Sequence, residues 1–398
     1  MKKIFLLLIC IMLFLICGCQ NREKNINNMD DISKKIEYTL ENMTLEEKIG
    51  QMMIVFYTAP KMDNTLKSAL ETVKPGGFIL FKENITTYDA TLKLIKEIKD
   101  MSNIPMFISI DQEGGNVQRL LALQDKEVSN IPYMYNVGLT DNELIAKEVG
   151  QVIAEELRVF GINMDFTPSI DILSNPNNTV IGKRSFGSNS EIVSKMGLAL
   201  ANSLLENGIV PVYKHFPGHG DTYTDSHVSL PIINKSKEEL YNLELIPFIN
   251  AINNGAKVIM IGHLAVPSIT GDNTPASLSK ILITDFLKNE LNYDGIITTD
   301  ALNMKALTNY YSSDEIYVKA VEAGVDILLM PSSSRECLKA IKKAVDEGII
   351  TEERIDQSVR KILKLKYENI EENYNVYLPS SYLNSESHQK VLEKISYK

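Results

Sequence analysis

Eight short apolar runs, each followed by a longer segment of helical period, constrain the fold of this chain more than any other feature. They are MMIVFY (52–57), GFILF (77–81), MFISID (106–111), NMDFTPSID (163–171), VPVYKH (210–215), VIMIGHL (258–264), GIITTD (295–300) and DILLMP (326–331). The runs are continuous rather than alternating, the pattern of strands buried on both faces, and the segments between them supply the crossovers that a parallel sheet requires. Eight such units predict an α/β fold, a single-domain (β/α)8 barrel of TIM type, over residues 32–370. Helices are expected at 91–101, 141–160, 191–207 and 236–254, and over the ILITDFLKNEL and AVEAG segments that flank run seven. A last amphipathic helix is expected at 351–367, capped by Thr351. The tail, 371–398, has no pattern beyond 385–395.

The N-terminus reads differently. Lys2 and Lys3 precede an uninterrupted apolar run from Ile4 to Cys17. That run is short for a membrane span of about 20 residues and fits a signal-peptide core. It ends in ICGC, which resembles a bacterial lipobox, so residues 1–18 are expected to be removed and Cys19 to be lipidated. A plain secretory signal or an uncleaved anchor is the alternative. Residues 19–31 are polar and read as a tether. The expected location is the extracytoplasmic face of a membrane, reached through the lipid. Three of the four cysteines lie in this segment, and the remaining one is Cys337. No body disulfide and no cysteine cluster for zinc is therefore expected.

Composition enters as an exclusion. The 398 residues are 44% hydrophobic and 23% charged, ordinary for a globular protein, and carry a net charge of −10. With no basic stripe, a nucleic-acid partner is not expected.

In a barrel of this kind, chemistry sits at the C-terminal ends of the strands. Five consecutive runs end in polar groups there: Asp111, Asp171, Lys214 with His215, His263 and Asp300. One shared pocket explains that placement better than chance. Run five leads into KHFPGHGDTYTDSH (214–227), which holds three of the five histidines. An Asp two residues from a His, as in Asp225-Ser226-His227, can fix the imidazole tautomer and raise its pKa, making a general acid near neutral pH. A metal-dependent hydrolase using His215, His219, Asp221, His227 and His263 is a rival, but run one lacks the histidine pair with which barrel metal sites usually begin. For Asp300, a helix N-cap is the structural alternative.

Four segments, DQEGGNVQR (111–119), IGKRSFG (181–187), KHFPGHGDTYTDSH and TTDALNMKAL (298–307), occur in the order of the motifs of glycoside hydrolase family 3. The chain resembles that family's β-N-acetylhexosaminidases of the cell-wall-sugar type, over residues 43–365. The long loop motif is the most specific of the four; DQEGG is shared more widely. The resemblance implies a retaining exo-β-N-acetylglucosaminidase without metal or other cofactor. Asp300 would be the nucleophile, His227 the acid/base and Asp225 its partner. Asp111, Arg119, Arg184, Lys214 and His215 would hold the terminal sugar. Lys183 stands where the family more often has an acid. A family 3 β-glucosidase and a non-catalytic sugar-binding lipoprotein are the other readings. No substrate role carries over to Asp171, His219 or His263.

Overall fold

The computed structural model describes residues 30–222, 226 and 228–395. The chain divides into two units, Met1–Met43 and Thr44–Lys398. The described part of the first is a helix, Asp31–Glu41, whose N-cap Asp30 accepts from the Ser33 amide at 2.9 Å. Cys19 lies outside the described residues.

The second unit is a (β/α)8 barrel. Its strands are β1 (Met53–Val55), β2 (Gly77–Leu80), β3 (Phe107–Ile110), β4 (Met164–Asp165), β5 (Val210–Phe216), β6 (Val258–Ile261), β7 (Ile296–Thr299) and β8 (Leu328–Leu329). All neighbours pair in parallel, in the order β8-β1-β2-β3-β4-β5-β6-β7. The ring closes between β7 and β8 through the Thr298↔Ile327 bridge, with the Thr299 amide on the Ile327 carbonyl at 3.1 Å. Each strand falls within one of the eight apolar runs, save that β5 extends one residue past its run to Phe216, and every strand residue is buried. Phe78, Phe107, Phe216, Phe248 and Phe286 are among the largest fully enclosed side chains. Each such ring contributes up to about 3 kcal/mol by leaving water.

Run four gives the shortest regular ladder in proportion to its length. Pro168 has no N–H to donate, so pairing beyond Asp165 shrinks to one bridge, Ser169↔Lys214. The backbone nonetheless carries on to Asp171 at the barrel mouth.

Helices cover the outside, among them Tyr88–Lys99, Glu143–Val159 and Ser190–Glu206, close to the expected segments. The single helix expected at 236–254 is instead two, Lys237–Asn242 and Ile246–Asn253. Pro247 is the reason: it is tolerated only in the first turn of a helix, so a new helix starts there. The segment Ile281–Glu290 winds as a π-helix, with Thr284 and Lys288 bonded to the Ala323 and Gly324 carbonyls. The last long helix, Glu352–Asn369, has Thr351 as its cap, accepting from the Arg354 amide. Beyond it the chain returns along the barrel. The Leu378 amide bonds the Arg158 carbonyl at 3.2 Å, and the short helix Glu386–Leu392 places His388 beside Glu155 and Glu156.

Candidate active site

The strand exits surround a cavity of about 300 Å³ at the barrel mouth. Asp111, Arg119, Arg184, Lys214, His215 and Asp300 all line it, and so do Glu113, His219 and Ser226. Asp225 and His227 lie outside the described residues.

The first wall begins at β3. Asp111 follows the strand, and the chain turns through a tight hairpin, Gln112–Gly114 against Val117–Gln118. Gly114 and Gly115 both have positive φ, and a Cβ on Gly115 would sit 2.1 Å from the Tyr133 ring. Only glycine permits this turn. It returns Arg119 to Asp111, Nη2 to Oδ2 at 3.1 Å, with the guanidinium 5.0 Å from the centroid of Phe81.

Lys214, at the end of β5, meets Asp111 at 3.2 Å and Glu113 at 2.5 Å. Arg184 reaches Glu113 through two bonds, Nε to Oε2 at 2.8 Å and Nη2 to Oε1 at 2.7 Å. The result is a row of alternating charge, Arg119–Asp111–Lys214–Glu113–Arg184. Burial alone would push the Glu113 carboxyl up; Arg184 and Lys214 overcome it and hold the group far below the usual range. Burial likewise opposes the charge on Lys214, but Glu113 and Asp111 leave its pKa raised, so it stays a cation.

Asp171 organises the second wall. It is fully buried, accepts from the backbone amides of His215 (3.2 Å) and His219 (2.6 Å), and bonds His215 Nδ1 at 2.7 Å. Burial raises its pKa, yet the adjacent His215 and His219 bring it down to about 2. An ionised Asp171 accepts a hydrogen bond from Nδ1–H of His215 and so fixes that ring's orientation. The residue for which the sequence offered no substrate role thus supports one that has a candidate role.

Asp300 closes the ring at the end of β7. Its amide bonds the Ile261 carbonyl, and its Oδ1 accepts from the Ala301 amide at 2.7 Å. It does not cap a helix: the next one, Lys305–Thr308, begins with Met304 as N-cap. His263 supports the turn, with Nε2 3.0 Å from the Ala301 carbonyl and Nδ1 2.8 Å from Ser277 Oγ. Burial pushes the Asp300 carboxyl up, but His263, His215, the Ala301 N–H and Lys214 together lower it. Asp300 is therefore a carboxylate at neutral pH, the state a nucleophile requires.

Two acids of the site had no assigned role in the sequence. Glu113 lay inside DQEGG, and a charge between a buried strand and a Gly-Gly turn was its signal. Asp165, on β4, accepts from the Gln112 amide at 2.9 Å and so anchors the start of the hairpin. Burial pushes its carboxyl well above the usual value.

The profile of the "Glycosyl hydrolase family 3 N terminal domain" matches residues 44–365. The chain belongs to glycosyl hydrolase family 3. Beta-hexosaminidase A of Pseudoalteromonas piscicida is 29% identical over 393 residues, spanning 88% of this chain and 65% of that protein, so the chain covers just under two thirds of that relative's length. A beta-hexosaminidase of Nitrosomonas eutropha is 33% identical over 302 residues, covering 73% of this chain and 85% of the relative. Among solved structures, a glycoside hydrolase family 3 beta-N-acetylglucosaminidase from Paenibacillus superposes with a TM-score of 0.83 at 36% identity, over 89% of this chain and 68% of that one. The family 3 barrel region accordingly contains every described residue of the candidate site.

Proposed function

We propose that the chain is a retaining exo-β-N-acetylglucosaminidase that releases terminal N-acetylglucosamine from peptidoglycan-derived or related β-N-acetylhexosaminides. The observation that carries this reading is the ionised Asp300 facing the same small cavity as the Asp111–Lys214 pair. About 300 Å³ is at the small end of ligand sites, suited to one sugar ring held at a chain end. The resemblance to beta-hexosaminidases and to a beta-N-acetylglucosaminidase supports the N-acetylhexosaminide over the glucoside.

In the proposed reaction, an Asp300 oxygen attacks the anomeric carbon while His227 gives its proton to the departing glycosidic oxygen. The bond to the aglycone breaks and a glycosyl ester forms. Water then attacks the same carbon, His227 takes the water's proton, and Asp300 leaves as carboxylate. Asp225 orients His227. Asp111 accepts sugar hydroxyls, Lys214, Arg119 and Arg184 donate, and His215 presents the ring nitrogen not taken by Asp171. A histidine in place of the second carboxyl avoids repulsion from Asp300, since imidazole carries its proton near pH 6.5 unaided. Lipidation of Cys19 would hold the enzyme on the outer side of a membrane.

The test is turnover of p-nitrophenyl β-N-acetylglucosaminide against the β-glucoside, followed by muropeptide fragments, with purified protein. A faster glucoside rate would favour a β-glucosidase, and binding without turnover a sugar-binding lipoprotein. His227→Ala should lose activity on natural sugars, about 10²-fold or more, yet spare glycosylation by dinitrophenyl glycosides, whose leaving group departs without a proton.

A further inference from the structure

His219 is buried, lines the cavity, and has no part in the mechanism above. Both of its ring nitrogens meet hydroxyls of the loop that follows β5. Nδ1 lies 2.7 Å from Thr222 Oγ1, and Nε2 lies 3.3 Å from Ser226 Oγ. Thr222 Oγ1 donates its own proton to the His219 carbonyl at 3.0 Å. It must then accept from Nδ1–H, which leaves Nε2 as an acceptor for the Ser226 hydroxyl. The neutral ring that this pattern needs is the form present at neutral pH, because burial and the neighbouring His215 push the imidazole down to about 4.

The backbone that carries the ring is held as well. The His219 amide donates to Asp171 at 2.6 Å, and Asn178 Nδ2 reaches its carbonyl at 2.8 Å. Asn175 Nδ2 bonds the Thr222 carbonyl at 3.3 Å. Ser226 is gripped from the other side as well, its carbonyl accepting from the Ala306 amide at 3.1 Å. Ala306 belongs to the short helix six residues beyond Asp300. Ser226 therefore joins the loop to the segment that carries the nucleophile, and it is the residue between Asp225 and His227 in the chain.

We infer that His219 is a positioning residue for proton transfer that acts through its bond to Ser226, the residue between Asp225 and His227 in the sequence. The inference rests on the reading of His227 as the acid/base. It gives the second histidine of the loop a role distinct from sugar binding by His215.

The experiment measures kcat and KM for a series of aryl β-N-acetylglucosaminides with leaving groups from dinitrophenol to alkyl alcohols. Ser226→Ala removes only the tethering hydroxyl; Ser226→Thr retains it; His219→Phe removes both ring bonds. The expected result is a kcat/KM loss of about tenfold for Ser226→Ala and about 10²-fold for His219→Phe on poor leaving groups. Glycosylation by the dinitrophenyl substrate should stay near wild type, and Ser226→Thr should behave as wild type throughout. If His219→Phe fails to fold, Ser226→Ala decides. A uniform loss across the series, or a rise in KM alone, would overturn the inference and make His219 a structural or sugar-contacting residue. His227→Ala is the reference. If it is leaving-group dependent while the Ser226 and His219 variants are not, only this inference falls. If it shows no such dependence, the acid/base reading falls first.

Discussion

Glu113 receives Arg184 through both carboxylate oxygens, at 2.7 and 2.8 Å, and shares one of them with Lys214 at 2.5 Å. One buried acid thus fixes two cations that face the cavity. Bidentate pairing sets the plane of the guanidinium as well as its position.

Glu113→Gln keeps the volume and removes the charge, leaving Arg184 without its carboxylate partner and Lys214 with Asp111 alone. Breaking a buried ion cluster from one side costs about 3–5 kcal/mol. Urea unfolding should show that loss, and any folded variant should have a raised KM for the sugar. A midpoint equal to wild type would mean that solvent, not Glu113, balances the two cations.

Asp300→Asn preserves the acceptor for the Ala301 amide, so the variant should melt close to wild type. Its kcat should fall about 10⁴-fold, as expected when a covalent catalyst is removed. A fluorinated sugar inactivator should label Asp300 in the wild-type protein; label on another carboxylate would refute its role. Because the Asp300 pKa is lowered, the acidic limb of kcat/KM should extend below the ordinary aspartate value near 3.9.

His388 anchors the C-terminal tail, with Nε2 2.8 Å from Glu155 and Nδ1 3.4 Å from Glu156. Burial opposes its charge, but the two glutamates raise its pKa above the unfolded value. The folded state therefore binds the proton more tightly. This contribution is complete below the unfolded pKa near 6.5 and is lost as pH rises through the higher folded value. His388→Gln should lower stability by about 2 kcal/mol at pH 6 and by less in alkali. Urea midpoints of both proteins against pH measure it, and parallel curves would dismiss the latch.

Cys19→Ala should release the protein from the membrane fraction or block its processing, since stable anchoring needs more than one acyl chain. Mass spectrometry of the mature N-terminus supplies the check: a soluble protein with unmodified Cys19 would reject lipidation.

The strands were legible because each needed only a local property, a short apolar run flanked by turns, and parallel strands buried on both faces display it without interruption. The break at Pro247 was equally local, and its signal was in the chain. Asp111, Lys214, His215 and Asp300 could be named as site residues because the barrel fixes in advance which end of a strand meets the pocket.

Sequence alone determined the barrel, its eight strands and the set of polar groups at their exits, because periodicity and strand ends are properties of neighbours in the chain. Only the tertiary structure decided how those groups pair. Glu113 and Arg184 are 71 positions apart, Asp171 and His215 are 44 apart, and His388 meets Glu155 across 233. Such pairs have no spacing to betray them. They exist because closing the barrel buries the charges together, and a buried charge must find a partner or lose its ionisation.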